Sequence, residues 1–168
     1  MSPRILIAGI GNIFFSDDGF GVEVARRLSL QPPEGTRVTD FGIRGLHLAY
    51  ALLDPLDLVV VVDALSRGGT AGTVYAIEPD LDAGLGATDP DAHGLSLPAV
   101  FASARAMGGA LPRIIVVGCE PQEIGEGVGL SAPVQTAIEP AEALVRELVE
   151  RERRSAAGRK RASVAQFA

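Results

Sequence analysis

Apolar residues along this chain fall into two patterns: short continuous runs, and longer stretches in which they recur every three or four positions. Continuous runs are typical of strands buried on both faces of a sheet, whereas the second spacing places apolar side chains on one side of a helix. The predicted strands cover residues 4–9, 36–41, 56–63, 73–77 and 113–118. The first predicted helix lies between capping groups at 16–18 and a turn at 31–35. The other predicted helices cover residues 44–53, 96–107 and 132–150.

The order of these elements predicts the fold class. Strands that alternate with helices indicate an α/β domain, in which a mostly parallel sheet is flanked by helices on both faces. The segment between Asp63 and Thr73 is too short to hold a crossover helix, so strand 73–77 is predicted to be antiparallel and the sheet mixed. Residues 80–94, rich in Asp and Gly, are predicted to form a loop.

The length of 168 residues fits one α/β domain. We expect this domain to occupy residues 1–150. Residues 151–168 contain six Lys and Arg, with Glu152 as their only anion, and they show no apolar periodicity. We therefore expect them to form a basic, disordered tail.

The net charge of the whole chain is −6, but the predicted domain is more acidic than this value indicates. Residues 1–150 hold nine Lys and Arg against 20 Asp and Glu, a net charge of −11, which argues against binding to nucleic acid. No apolar run approaches the roughly 20 residues of a membrane span, and the N-terminus lacks a signal-peptide pattern. Since a single cysteine agrees with a reducing compartment, we expect a cytoplasmic protein.

Scarce residue types argue against several kinds of site. With two His and one Cys, the chain has no pair of cysteines for an intramolecular disulfide or a CxxC zinc site. Its one lysine, Lys160, is not preceded by a phosphate-binding GxxxxGK sequence. Gly9 and Gly11 begin like a dinucleotide-binding motif, but Phe14 stands at the third glycine position and two aspartates follow where phosphate would bind.

Polar side chains follow the predicted strands at the edge of the sheet where α/β proteins bind ligands. Asp18 follows the first strand, Asp40 and Asp63 end the next two, and His93 lies in the predicted loop. Asp18, Asp63 and His93 offer two oxygen ligands and one nitrogen ligand, a set that suits a first-row divalent ion such as Zn²⁺ or Ni²⁺. No HExxH-type motif connects them, so their spacing alone is a weak signal.

Each of these residues also has an ordinary structural interpretation. Asp17 and Asp18 could cap the following helix, and Asp40 could form a turn. His93 could cap a helix or lie on the surface. Asp63 is the strongest functional candidate, because a carboxylate directly after a buried strand requires a partner, a hydrogen bond or a cation.

The remaining histidine and the cysteine are interpreted as structural. His47 lies between leucines on the short predicted helix and is assigned a peripheral role. Cys119 follows a buried strand, and no second histidine is obviously placed to activate it, so we interpret it as a packing residue rather than a nucleophile.

Six segments of the chain, spread over about residues 4–150, together resemble the hydrogenase maturation proteases, which trim the large subunit of nickel-iron hydrogenases. The segment at 9–21 is the most specific of them, and all six occur in the order found in that family. The matching segments are 9–21 (GIGNIFFSDDGFG), 40–45 (DFGIRG), 61–64 (VVDA), 72–74 (GTV), 91–96 (DAHGLS) and 129–131 (GLS).

This resemblance implies a single-domain three-layer sandwich, with a twisted five-stranded mixed sheet between helices. It implies that Asp18, Asp63 and His93 contact a metal, and that Asp40 corresponds to the aspartate of the family's D-x-G motif. Asp40 and Asp63 are then the expected catalytic residues. Phe41 replaces the glycine that often follows the motif's aspartate, and Asp18 replaces a glutamate of many members.

The resemblance also implies the substrate. The expected partner is the precursor of a hydrogenase large subunit, which carries the nickel itself, so that the protease holds no permanent metal. It implies that the enzyme releases a short C-terminal peptide. Separately, we expect the enzyme to be a monomer. Two alternatives remain: a chaperone-like factor that binds the precursor without cutting it, and an unrelated metallohydrolase with its own Zn²⁺.

Overall fold

A computed structural model describes residues 3–81 and 96–165 of the chain, and their side chains up to residue 159. In this part of the chain, five strands form one sheet in the order β2-β1-β3-β5-β4. The strands are β1 (Ile5–Ile10), β2 (Thr36–Gly42), β3 (Leu58–Ala64), β4 (Val74–Ile77) and β5 (Arg113–Cys119). The helices are α1 (Phe20–Leu30), α2 (Gly45–Ala51), α3 (Leu97–Ala106) and α4 (Ala132–Ala165), and a 3₁₀ turn (Ser16–Gly19) precedes α1.

The pairing of the strands confirms the predicted mixed sheet. β1 pairs in parallel with β2 and β3, and β3 pairs in parallel with β5. β4 is antiparallel to β5, as the short connection from β3 predicts. The carboxyl ends of four parallel strands therefore meet at one edge of the sheet, here called the carboxyl edge, and the loops that follow these strands lie there together.

Helices cover both faces of the sheet, which confirms the three-layer architecture. On one face, α1 and α4 pack Phe20 and Ile138 against the odd-numbered side chains of β1 and the even-numbered ones of β3. On the other face, α2 and α3 contribute Leu48 and Phe101. All seven residues of β3 are buried, which explains its continuous apolar sequence.

Two glycines allow α1 to lie against the sheet. A Cβ on Gly9 would lie 2.3 Å from the carbonyl oxygen of Gly21, and a Cβ on Gly21 would lie 2.0 Å from that of Val62. No side chain fits at either position. One glycine in β1 and one in α1 therefore allow close backbone packing next to Asp63.

The last helix is longer than predicted. The sequence predicts that the helix ends at Glu150 and that a disordered tail follows, but α4 continues through Ala165. Glu152 is buried and bonded to Arg113 of β5 and to Arg159, and Arg153 pairs with Glu34 at 3.0 Å. These ion pairs and good helix-forming residues extend the helix where apolar periodicity is absent. Among the described residues, no helix is both long and apolar enough to cross a membrane.

The segment that carries His93 lies outside the described residues, as does most of the loop predicted at 80–94. The other predicted elements agree with the structure to within one or two residues at most ends. The predicted helix at 44–53 begins one residue later and ends two residues earlier, at Ala51.

Candidate functional site

The two predicted metal-contacting carboxylates, Asp18 and Asp63, lie close together at the carboxyl edge. Asp63 is the sixth residue of β3 and is buried, with 8% of its surface exposed. Burial raises the pKa of Asp63 well above its usual value, and the negative charge of Asp18 raises it further. A buried carboxylate next to a second carboxylate is a site where a cation or a proton would be stabilised.

Asp18 is held in place by the loop that follows β1. Its Oδ2 accepts a hydrogen bond from the N–H of Asn12 at 2.7 Å. Burial raises the pKa of Asp18, although this hydrogen bond acts in the opposite direction. Gly11 has a φ of +133°, and a Cβ there would lie 1.8 Å from the carbonyl oxygen of Asp18, so the turn closes only over a glycine.

The neighbouring Asp17 has a role that the sequence did not reveal. It is fully buried, and its carboxylate accepts hydrogen bonds from the N–H groups of Gln122 and Glu123, both at 2.9 Å. It also accepts from the N–H and the hydroxyl of Ser131. Burial raises the pKa of Asp17, but these hydrogen bonds outweigh that effect and lower it.

The interpretation of Asp17 and Asp18 as helix caps is therefore wrong. Neither the 3₁₀ turn nor α1 has a side-chain cap at its start. The carboxylate of Asp17 instead binds the loop after β5, and that of Asp18 binds the loop after β1. Two adjacent aspartates before a helix predict capping from local sequence, whereas their actual partners depend on the tertiary fold.

Backbone contacts also join the loops after β1 and β5. The N–H of Ser16 donates to the carbonyl of Gly127 at 2.9 Å, and the N–H of Gly127 donates to the carbonyl of Phe14 at 2.9 Å. Ser16 has a φ of +53°, the only positive φ at a non-glycine residue in the described part of the chain. Its hydroxyl donates to the carbonyl of Gly125, which helps to hold this strained conformation.

Asp40 lies at the same edge, at the end of β2 and opposite Gly9 of β1. Its carboxylate is one-third exposed and lies 3.7 Å from the guanidinium of Arg26. The guanidinium of Arg44 donates to the main-chain carbonyls of Asp40 and Phe41 and so fixes the end of the strand. β1 separates Asp40 from Asp63, so the structure brings Asp40 to the edge but not into the Asp18–Asp63 pair.

A buried glutamate supports the loop that follows Asp63. Glu120, directly after β5, accepts hydrogen bonds from the Ser66 hydroxyl and from the N–H groups of Arg67 and Gly68, at 2.8 to 3.1 Å. The hydrogen bond from Arg67 is the main cause of its lowered pKa. A glutamate directly after a buried strand was the available sequence signal, parallel to that of Asp63.

Three predictions about histidine and cysteine have different outcomes. His93 is outside the described residues, so its place in the metal site stays a prediction; within the described residues, no three His, Cys, Asp or Glu side chains form a metal-binding group. His47 is exposed on α2, as predicted. Cys119 is buried, and burial raises the pKa of its thiol to about 11, which confirms a packing role.

Comparisons with known proteins match this fold and these motifs to one family. A family model described as hydrogenase maturation protease matches residues 22–148. The hydrogenase expression/formation protein HupM of Azotobacter chroococcum mcd 1 is 36% identical over 148 residues, which cover 85% of this chain and 70% of that protein.

Solved structures agree with this assignment. The hydrogenase maturating endopeptidase HybD of Escherichia coli is similar with a TM-score of 0.75 and 25% identity, over 88% of this chain and 93% of that one. The NiFe hydrogenase maturation protease HycI of Thermococcus kodakarensis KOD1 is similar with a TM-score of 0.64 and 30% identity, over 89% of this chain and 94% of that one. The chain thus belongs to the hydrogenase maturation protease family and is an endopeptidase, which confirms the resemblance seen in its motifs.

Proposed function

We propose that this endopeptidase removes a C-terminal peptide from the precursor of a nickel-iron hydrogenase large subunit after nickel has been inserted. The observation that carries the proposal is the buried carboxylate of Asp63 beside Asp18 at the carboxyl edge. Two carboxylates so placed repel each other in the absence of a cation, and nickel held by the precursor would relieve that repulsion. The family membership of the chain supports this choice of substrate.

Asp18, Asp63 and His93 are the proposed contacts of the nickel. Two oxygen ligands and one nitrogen ligand fit a first-row divalent ion but leave coordination positions open. Such a set binds free metal weakly and can complete the coordination of nickel that the precursor already holds. Cleavage is then restricted to precursor that carries its metal.

Asp40 is the proposed general base for the attacking water, with Asp63 as the second catalytic carboxylate. Asp40 is exposed enough to contact water, and Arg44 fixes the backbone on which it stands. The bound nickel or main-chain N–H groups at this edge would stabilise the oxyanion that forms on the scissile carbonyl. The only serine in the loop after β1, Ser16, donates its hydroxyl to a main-chain carbonyl and has no histidine partner among the described residues.

Incubation with nickel-loaded and nickel-free precursor tests the proposal. We expect the loaded precursor alone to lose a C-terminal peptide, measured by intact mass. Cleavage of both forms by an enzyme that retains stoichiometric metal would instead identify an unrelated metallohydrolase. Binding of the precursor with no loss of mass would identify a chaperone-like factor.

The role of Asp40 is tested by Asp40→Asn. This variant should bind the loaded precursor as tightly as the unaltered enzyme but cleave it at least about 100-fold more slowly, since a general base commonly contributes that much. Asp54→Asn is a matched control, because Asp54 lies at the opposite edge in an exposed pair with Arg37. Normal cleavage by Asp40→Asn would remove Asp40 from the mechanism.

A further inference from the structure

Three large apolar side chains are exposed on the two loops that border the Asp18–Asp63 pair. Phe14 is 63% exposed on the loop after β1, and Ile124 and Val128 are 51% and 80% exposed on the loop after β5. We call these three residues the apolar rim. Single exposed apolar residues are common on protein surfaces, but these three share an ordered support and border the same pair of carboxylates.

The rim is carried by backbone that is already ordered. Gly127 exchanges two hydrogen bonds with the other loop, one with Ser16 and one with Phe14. On either side of Ile124, the buried carboxylate of Asp17 holds the N–H groups of Glu123 and Ser131. A partner that covers the rim therefore does not need to order these loops, which lowers the entropic cost of binding.

The rim is continuous with the proposed site. The N–H of Phe14 donates to the side chain of Asn12 at 2.9 Å, and the N–H of Asn12 donates to the carboxylate of Asp18 at 2.7 Å. The N–H of Asp18 in turn donates to the carbonyl of Phe15. A protein that brought a metal to Asp18 would lie directly against the loop that carries Phe14.

The charges around the rim restrict the chemistry of its partner. Glu123 and Glu126 are exposed on the same loop as Ile124 and Val128. The complementary surface has apolar side chains at its centre and basic side chains at its border, as protein interfaces often combine an apolar core with a charged rim.

We infer that the apolar rim is the surface on which the hydrogenase large-subunit precursor docks, an inference that rests on the proposed function. Phe14 and Val128 anchor the precursor, while Asp18 and Asp63 contact its nickel. The rim contributes to binding and not to the chemical step. Its loss therefore raises KM and Kd and leaves kcat unchanged.

The test compares Phe14→Ser/Val128→Ser with Leu30→Ser. Leu30 is 83% exposed at the end of α1 and serves as a control for loss of an exposed apolar side chain away from the carboxyl edge. Kd is measured for the uncleaved loaded precursor in an Asp40→Asn background, and kcat and KM are measured with Asp40 intact. We expect the double variant to raise Kd and KM at least about tenfold, with kcat within about twofold of the unaltered enzyme, and Leu30→Ser to change none of these.

Several results would overturn the inference. Unchanged Kd in the double variant, or an equal change in Leu30→Ser, would show that the rim does not dock the precursor. A concentration-dependent dimer of the unaltered chain that the double variant abolishes would assign the rim to a second copy instead. If the unaltered chain binds the precursor without cutting it and the double variant weakens that binding, the docking surface stands and the proposed function fails.

Discussion

The carboxylate of Asp17 accepts hydrogen bonds from both the main-chain N–H and the hydroxyl of Ser131, at 2.7 and 2.8 Å, across 114 residues of sequence. Ser131 directly precedes α4, so this contact joins the loop after β1 to the start of the last helix. Asp18, the next residue, bears the charge that raises the pKa of Asp63. The position of the proposed site therefore depends on a buried carboxylate that takes no part in the chemistry.

Replacement of that carboxylate should destabilise the fold. Asp17→Ala removes a buried carboxylate and leaves the N–H groups of Gln122, Glu123 and Ser131 without their acceptor, and we expect the free energy of unfolding to fall by about 3 kcal/mol. Urea unfolding followed by circular dichroism measures the change. Asp54→Ala is the control, because its exposed pair with Arg37 is worth at most about 1 kcal/mol. Similar values for the two variants would contradict the role given to Asp17.

Close packing between α1 and β3 gives a second prediction. In Gly21→Ala the new Cβ would lie 2.0 Å from the carbonyl oxygen of Val62, so the helix must move away from the strand that carries Asp63. We expect the free energy of unfolding to fall by about 1–3 kcal/mol and cleavage to be slower. Gly158→Ala, in open space on α4, should change stability by no more than about 1 kcal/mol and in the stabilising direction. A Gly21→Ala enzyme as stable as Gly158→Ala would refute the packing argument.

Because the thiol of Cys119 is buried, we expect it to react slowly in the native protein and to lower the stability of the fold at alkaline pH. Burial raises the pKa of Cys119 to about 11 from an ordinary value near 9, so iodoacetamide at pH 8 should modify the unfolded protein and not the native one. The unfolded state loses this proton before the native state does. The contribution of the Cys119 thiol to the free energy of unfolding is therefore fully present below about pH 9 and is lost as the pH rises through about 11. Between about pH 9 and 11, Cys119→Ala should lose less stability than the unaltered protein, as measured by urea unfolding. An identical loss in both proteins would contradict the raised pKa of Cys119.

Most of the fold could be predicted from the sequence because burial on both faces demands continuous apolar strands. The four consecutive valines of β3 indicate a strand buried on both faces. The short connection from β3 to β4 predicts that β4 is antiparallel, as observed. The end of α4 could not be predicted in this way, since Glu152 is held by Arg113 from a distant strand rather than by apolar spacing. Asp17 was misassigned for the same reason, because local sequence does not identify a partner 114 residues away.

The candidate site was predictable where a polar residue interrupts or follows a buried strand. Asp63 is such a residue, and Glu120, which supports the adjacent loop, gives the same signal after β5. The exposed apolar rim gave no signal, because exposure of Phe14 or Val128 depends on how the two loops join.

If Asp63 acts on a precursor that carries its own nickel, cleavage depends on both the nickel and this carboxylate. Nickel-loaded and nickel-free precursor are each incubated with the unaltered enzyme, with Asp63→Asn and with Asp54→Asn, and the intact mass of the precursor is followed over time. We expect loss of a C-terminal peptide from the loaded precursor with the unaltered enzyme and with Asp54→Asn, and no loss with Asp63→Asn or from nickel-free precursor. Full cleavage by a folded Asp63→Asn variant, or equal cleavage of the nickel-free precursor, would contradict it.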